Sequence, residues 1–222
     1  MTTRAAAALE FVELMVKHGV LRFGRFTLKS GRESPYFFDL GRIDDSAGVS
    51  VLGSAYARAI VAHGFEPDVV FGPAYKGIPI AVATCIALHR DHGRNVGLVF
   101  NRKEEKDHGE GGVLIGHRLE GKVLIVDDVM TAGTAVKESA ATVTRSGATL
   151  HGILVALDRC ERAEGGRTAV AQTAVDLGVP VKSIAALDDV IAYLDAHLDI
   201  DSGHADALGR IRTYQTRHCV RE

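Results

Sequence analysis

The stretch VLIVDDVMTAGTA, residues 123–135, constrains the fold more than any other part of the chain. Its first four residues, Val123 to Val126, are apolar and mostly β-branched, which is typical of a strand buried on both faces of a parallel sheet. Two carboxylates, Asp127 and Asp128, follow at the carboxyl end of that predicted strand. Open α/β sheets bind ligands at this edge, so the acidic pair is a candidate ligand site.

The residues after the acidic pair predict an anion-binding turn. Residues 131–134 carry small side chains and hydroxyls, and a helical pattern follows directly. Backbone N–H groups at such a turn and helix N-terminus point into one concavity, which favours anions. A phosphorylated sugar that chelates Mg²⁺ would suit both the carboxylates and the turn. The alternative is a buried strand that ends in two solvated acids and leads into an ordinary capped helix.

Length, charge and cysteine content narrow the class of protein. A chain of 222 residues can bury one main core. Its 26 basic and 28 acidic side chains nearly cancel, so no nucleic-acid partner is indicated. The 3 cysteines are far apart without C-x-x-C spacing, which argues against disulfides and zinc and favours a cytoplasmic location. Glu10 and Glu13 interrupt the apolar N-terminal run, which predicts an amphipathic helix, with no signal peptide or membrane span.

Apolar runs that alternate with helical patterns predict an α/β fold, a central parallel sheet flanked by helices. The predicted strands cover residues 67–71, 95–100, 113–116, 123–126, 150–157 and 181–185, and the predicted helices cover 46–63, 77–89, 168–177, 187–197 and 203–218. Earlier in the chain, Leu9, Val12 and Val16 recur at helical spacing up to Gly19, which can end a helix. Two β-type runs, 25–29 and 36–40, flank a turn-rich link and predict a hairpin or flap. We therefore divide the chain into an N-terminal helix and flap, residues 1–45, and an α/β core, residues 46–222.

The segment FGPAYKGIPIA, residues 71–81, is a candidate pyrophosphate site. A strand that ends in Gly-Pro is followed by small residues and by Lys76-Gly77 before a helix. This pattern exposes backbone amides beside a lysine, which suits a pyrophosphate group. Taken alone, such a turn is more often structural.

A second candidate is the polar segment at residues 101–112, which alternates basic and acidic side chains. It has no apolar residue between Arg102 and Gly112, so it has no side chain to bury against the rest of the protein and is expected to be mobile. Its composition alone is that of a solvated mixed-charge loop. Beside a sugar-phosphate site, a basic loop can close over a polyanion, exclude water and stabilise a departing pyrophosphate.

Together these motifs resemble a known family. VDDVMTAGTA is similar to the 5-phosphoribosyl 1-diphosphate (PRPP) signature of type I phosphoribosyltransferases. FTLKSGRESPYFFDLG, GPAYKG and NRKEEKDHGEGG occur with it in the order and approximate spacing of the orotate phosphoribosyltransferases, from about Leu9 to Tyr193. The resemblance implies transfer of the phosphoribosyl group from Mg-PRPP to orotate in pyrimidine biosynthesis, giving orotidine 5′-monophosphate and pyrophosphate. It also implies a homodimer, with Mg²⁺ held mainly by substrate and water and no metal site built from protein alone.

The resemblance assigns roles to individual residues. Those implied in PRPP binding are Lys29, Tyr75, Lys76, Arg102, Lys103, Lys106, His108, Asp127, Asp128, Thr131, Ala132, Gly133 and Thr134. Those implied in orotate binding are Lys29, Phe37, Phe38, Thr131 and Arg159. Those implied in catalysis are Arg102, Lys103, Lys106, His108 and Asp128. Lys103 is expected to act in the chain's own site, and Arg102, Lys106 and His108 in that of the neighbouring subunit; Asp128 and Lys29 are candidate acceptors of the orotate proton.

Three alternatives share parts of this pattern. A phosphoribosyltransferase for adenine, uracil or hypoxanthine would have the same PRPP motif, but TLKSG and SPYFFD argue against it. A regulatory protein that kept the fold and lost catalysis would need a DNA-binding appendage, and no helix-turn-helix pattern fits before Arg25. A fused decarboxylase is not expected, since the chain has no room for a barrel of about 250 residues.

Overall fold

The N-terminal part of the chain forms a helix and an antiparallel hairpin. The computed structural model describes residues 3–28, 31–102, 113–130, 133–163, 165–197 and 202–220. Helix α1 spans Thr3–Lys17, strand β1 spans Leu21–Thr27, and strand β2 spans Glu33–Phe38 and pairs antiparallel with β1. The predicted hairpin is confirmed, but β1 begins earlier than predicted because Leu21 is buried and paired with Phe38.

Helix α1 buries one face, as its amphipathic pattern predicts. Ala8, Phe11, Val12 and Met15 are all buried, and their spacing of three and four residues places them on one side of the helix. Leu9 and Val16, also expected on this face, are only partly buried at its margins.

The core is a six-stranded sheet with the strand order β5-β4-β3-β6-β7-β8. Its strands are β3 (Val69–Gly72), β4 (Gly97–Asn101), β5 (Leu114–Gly116), β6 (Lys122–Val129), β7 (Thr149–Asp158) and β8 (Val181–Ala186). The prediction of a parallel sheet is confirmed for β3, β4, β6, β7 and β8. Strand β5 is antiparallel to β4 and makes the sheet mixed.

Helices cover both faces of the sheet. They are α2 (Ser46–Ala62), α3 (Gly77–His92), α4 (Thr134–Arg145), α5 (Ala169–Leu177), α6 (Leu187–Ala196) and α7 (Ser202–His218). Alternation along β6 divides its side chains between two hydrophobic clusters: Leu124 and Val126 belong to one, and Val123 and Ile125 to the other. This explains why residues 123–126 of the strand are all apolar.

The hairpin, α1 and α7 pack into the same hydrophobic cluster as one face of the sheet. Phe11, Tyr36 and Ile211 are members of that cluster together with Leu124. The boundary between residues 45 and 46 stays a prediction, and the two parts share one core. Within the described ranges, no helix combines the length and apolar character needed to cross a membrane.

The chain order places a topological switch point between β3 and β6. Strand β3 leads through α3 to β4 on one side, whereas β6 pairs with its other side. The two connections diverge there and leave a crevice at the carboxyl ends of the strands, where α/β sheets bind ligands.

Candidate active site

The acidic pair belongs to strand β6 and does not follow it. Strand β6 continues to Val129, and Asp127 pairs with Val155 of β7. The predicted strand ended too early because aspartate has a low intrinsic preference for strands, which the pairing with β7 overrides. Successive strand residues point to opposite faces, so the two carboxyl groups project from different sides of the strand end.

Asp127 is a carboxyl group with a raised pKa. Burial, followed by repulsion from Asp128, raises the pKa of Asp127 to about 6, although the backbone amide of Asp128 and the ammonium of Lys76 act in the opposite direction. That amide donates to Asp127 Oδ1 at 2.9 Å. The hydroxyl of the buried Tyr56, a residue that the sequence did not single out, donates to the Asp127 carbonyl oxygen at 2.7 Å. These two hydrogen bonds hold the strand end in place.

Lys76 lies between two carboxylates. Its Nζ is 2.9 Å from Asp128 Oδ2 and 3.1 Å from Asp39 Oδ1. Burial lowers the pKa of Lys76, but the hydrogen bonds and charges of Asp128 and Asp39 outweigh this effect and raise it overall, so the ammonium stays protonated. Burial is the largest single influence on Asp39 and raises its pKa, but the hydrogen bond and charge of Lys76, the Gly41 amide and the charge of Arg22 together lower that pKa overall. Asp39 was not predicted as a site residue, although a carboxylate directly after the hairpin was a visible signal.

The turn between β3 and α3 approaches its neighbours closely. A Cβ on Gly72 would meet the carbonyl oxygen of Gly77, and a Cβ on Gly77 would lie 2.7 Å from Pro73 Cδ. The Ala74 amide donates to Asn101 Oδ1 at 2.8 Å, so the end of β4 supports the turn. Asn101 begins the candidate segment at residues 101–112, but this contact was not predicted from the sequence.

Tyr75 occupies the tip of this turn and is 65% exposed. The peptide bond that joins it to Ala74 is cis. Its predicted contact with PRPP stays a prediction.

Helix α4 begins beside the acidic pair. Its N-cap, Gly133, has a φ of 72°, which favours glycine. Glycine offers no side-chain oxygen to cap the first turn, so the amides that begin the helix are available to an anion. Gly133 and the backbone of Thr134 thus lie where the anion-binding turn was predicted, whereas Thr131 and Ala132 lie outside the described residues.

Arg159 lies at the end of β7 and contacts the hairpin. It is 6% exposed. Its Nε donates to Glu161 Oε1 at 2.7 Å and its Nη2 to Ser34 Oγ at 3.0 Å. The guanidinium also lies over the ring of Tyr36, 4.2 Å from the centroid. The arginine predicted to bind orotate is therefore held against the strand that carries the predicted aromatic residues.

Phe37 and Phe38 are adjacent in β2, so their side chains point to opposite faces of the hairpin. Phe38 is 8% exposed and belongs to the main hydrophobic cluster. Phe37 is partly buried, with its ring 5.5 Å from that of Phe26. Any shared contact of these residues with a base would involve the strand backbone as well as a ring.

Several predicted site residues fall outside the described ranges. They are Lys29, Lys103, Lys106, His108, Thr131 and Ala132. Arg102 is described and partly buried, and its amide donates to the Val113 carbonyl oxygen at 2.7 Å. The basic segment therefore leaves and rejoins the described chain at one point, beside the end of β4.

The switch-point crevice, the acidic strand end and the N-terminus of α4 together suit a phosphorylated sugar. Residues 41–171 match the family model of the phosphoribosyl transferase domain. An orotate phosphoribosyltransferase of Salmonella agona (strain SL483) is 48% identical over 206 residues, which cover 93% of this chain and 95% of that protein. The chain belongs to the orotate phosphoribosyltransferase family.

Solved structures agree with this assignment. The crystal structure of orotate phosphoribosyltransferase from Francisella tularensis has a TM-score of 0.82 and 34% identity, and the match covers 95% of this chain and 96% of that chain. The structure of UMP synthase from Leishmania donovani has a TM-score of 0.74 and 26% identity, and the match covers 96% of this chain but 43% of that chain.

Proposed function

We propose that this protein transfers the 5-phosphoribosyl group of Mg-PRPP to orotate, giving orotidine 5′-monophosphate and pyrophosphate in pyrimidine biosynthesis. The observation that carries the proposal is the position of Arg159. A buried guanidinium at the end of β7 lies against the hairpin, on the same sheet edge as the predicted phosphate cradle. The crevice can thus accept an anionic sugar phosphate and a planar carboxylate together.

The donor half of the site comprises the ends of β3 and β6. The amides at the start of α4 suit the 5-phosphate, and Asp127 and Asp128 suit hydrogen bonds from the ribose hydroxyls. Lys76 can turn from its carboxylate partners toward the pyrophosphate, because both of its ion pairs are partly exposed and weak. In this role Asp39 and Asp128 hold the Lys76 ammonium, before the substrate binds, near the place that the pyrophosphate will occupy.

The acceptor half comprises Arg159 and the hairpin. Orotate differs from uracil by a ring carboxylate, which a guanidinium recognises through charge-assisted hydrogen bonds. The strand backbone around Phe37 can contact the polar edge of the pyrimidine, and an aromatic ring there can contact its face. This arrangement favours orotate over bases that lack a carboxylate.

The reaction needs no protein nucleophile. The bond between the anomeric carbon and the pyrophosphate oxygen breaks, a bond to a ring nitrogen of orotate forms, and that nitrogen loses its proton. Asp128 and Lys29 remain the candidate proton acceptors. In this structure Asp128 Oδ2 accepts a hydrogen bond from Lys76.

Mg²⁺ fits the site as a substrate-carried ion. When bound, it neutralises diphosphate charge and stabilises the leaving group. In the part of the chain that the structure describes, no cluster of three or more His, Cys, Asp or Glu side chains could hold a metal. Asp128 is paired with Lys76, and Asp127 Oδ1 accepts its neighbour's amide, so we propose that substrate and water oxygens hold the ion, with these carboxylates nearby.

We further propose a cytoplasmic homodimer in which residues 101–112 complete the neighbouring active site. Support comes from the position of the segment's ends, which lie together beside the end of β4 and the pyrophosphate turn. Cations placed there could stabilise a departing pyrophosphate across the interface.

The test is a panel of bases with Mg-PRPP, in which pyrophosphate release and the nucleotide product are followed together. Orotate should be the clear favourite, with product of the mass of orotidine 5′-monophosphate. A preference for adenine, uracil or hypoxanthine would show that orotate is not the acceptor. No turnover with any base, despite PRPP binding, would favour a regulatory protein.

A further inference from the structure

Arg159 is held by a network that joins three separate parts of the chain. Glu161 accepts three hydrogen bonds: from Arg159 Nε at 2.7 Å, from Arg32 Nη1 at 3.2 Å and from the Tyr214 hydroxyl at 2.6 Å. These partners come from the end of β7, the hairpin and helix α7. Glu161 is mostly buried, with a side chain that is 19% exposed.

The way in which Glu161 meets Arg159 leaves part of the guanidinium available. Arg32 binds Oε2 of Glu161, so only Oε1 reaches Arg159, at a single N–H. A two-point pairing, which arginine normally prefers with a carboxylate, is thereby avoided. Among the described residues, none accepts a hydrogen bond from Nη1 of Arg159, which leaves these donors for a second carboxylate.

The backbone between the two residues supports this geometry. Cys160 has a φ of 55°, a left-handed conformation that non-glycine residues rarely adopt. Its amide donates to Asp158 Oδ1 at 2.8 Å, which closes a tight turn. This turn reverses the chain, so that Glu161 folds back onto Arg159.

We propose that Glu161, together with Tyr214, is a positioning residue that orients Arg159 for the carboxylate of orotate. The inference rests on the proposed function and deepens it, because it adds helix α7 to the elements that select the base. Glu161 fixes the Nε side of the guanidinium, Ser34 fixes Nη2, and the ring of Tyr36 fixes its plane. The remaining N–H donors of the guanidinium are then already oriented for a carboxylate, so binding does not have to order the Arg159 side chain.

The experiment compares Glu161→Gln and Tyr214→Phe with the wild type in steady-state kinetics and thermal unfolding. Glu161→Gln should raise KM for orotate about tenfold, which corresponds to one weakened charge-assisted hydrogen bond, and should leave kcat and KM for PRPP within about twofold. Tyr214→Phe should give a smaller change in the same direction. The inhibition constant of uracil, which has the ring without the carboxylate, should not change in either variant.

The matched control is Asp195→Asn. Asp195 lies on α6 and pairs with Arg212 of α7 on an exposed surface, so this control removes a charge that faces α7 without touching the network. It should leave KM for orotate unchanged.

Two results would overturn the inference: an unchanged KM for orotate in both network variants, or equal weakening of orotate and uracil, which indicates a merely structural role. If Glu161→Gln fails to fold, Tyr214→Phe, which removes one oxygen and keeps the ring, decides the question alone. A wild-type protein that does not use orotate would refute the proposed function itself, a separate and recognisable outcome.

Discussion

Replacement of Asp127 by asparagine should stabilise the protein at neutral pH and not at acidic pH. Burial and the neighbouring Asp128 raise the pKa of the Asp127 carboxyl to about 6 in the folded chain. The unfolded value is about 3.9, so the difference is about two pH units at 1.36 kcal/mol each. The ionised carboxylate therefore costs the folded state roughly 3 kcal/mol at pH 7.

The sign follows from proton binding. The folded state binds this proton more tightly than the unfolded state, so the wild type has its full stability from this group below about pH 4 and loses it as the pH rises through about 6. Asparagine carries no charge at any of these pH values and can still accept the Asp128 amide through its side-chain oxygen. The difference between variant and wild type should thus rise from near zero at pH 4 to about 3 kcal/mol at pH 7.

The assay is urea unfolding followed by far-UV circular dichroism at several pH values from 4 to 8. The control is Asp176→Asn, whose effect on the free energy of unfolding should have the opposite sign. Hydrogen bonds from Lys137 and Gln172 lower the pKa of Asp176. Loss of this carboxylate should therefore destabilise the folded protein most at neutral pH and less as the pH falls. A pH-independent difference for Asp127→Asn, or one that becomes less favourable as the pH rises, would refute the reasoning. PRPP affinity should fall in the stabilised variant, because the carboxylate that costs stability is the proposed ribose ligand.

Four further predictions concern the site. Lys76→Met should lower kcat/KM for PRPP by about 10- to 100-fold, the loss of one charge-assisted contact, while isothermal titration of orotate stays unchanged. Lys106→Ala should lower turnover on the order of 100-fold with little change in PRPP affinity, because its contact is expected chiefly in the transition state; weaker binding with normal turnover would reject that role. Mixed dimers of Asp128→Asn and Lys106→Ala chains should recover some activity if loops are exchanged, and verified heterodimers without any recovery would count against exchange. Gly72→Ala should destabilise by about 1–3 kcal/mol in urea unfolding because its Cβ would meet the Gly77 carbonyl, whereas Gly209→Ala, in helix α7 with open space around it, should be neutral or stabilising.

Periodicity predicted most of the fold because the buried strands alternate their side chains between two apolar layers. Leu124 and Ile125 belong to different hydrophobic clusters, and both faces of β6 must therefore be apolar. The pattern could not predict where β6 ends, since Asp127 and Asp128 interrupt the apolar run although pairing with β7 continues to Val129. Local pattern also did not indicate that β5 runs antiparallel to β4.

The candidate site, like the fold, could be predicted from the sequence only in part. Roles were predicted for Asp127, Asp128, Lys76 and Gly133 because each lies in a recognisable local motif within or just after the end of a strand. No individual role was predicted for Asp39, Asn101 or Glu161, because each has a contact with a residue distant in sequence; Arg32 and Glu161, for example, are 129 residues apart. The final helix was unremarkable in sequence, yet its Tyr214 contacts the residue that holds Arg159.

The most direct test of the central claim is the specificity constant for orotate relative to uracil, measured with Mg-PRPP in the wild type and in Arg159→Met. The wild type should favour orotate strongly, and the substitution should reduce that preference by about 10- to 100-fold through the loss of orotate recognition alone. A wild type without preference for orotate, or a variant that keeps the full preference, would contradict the account.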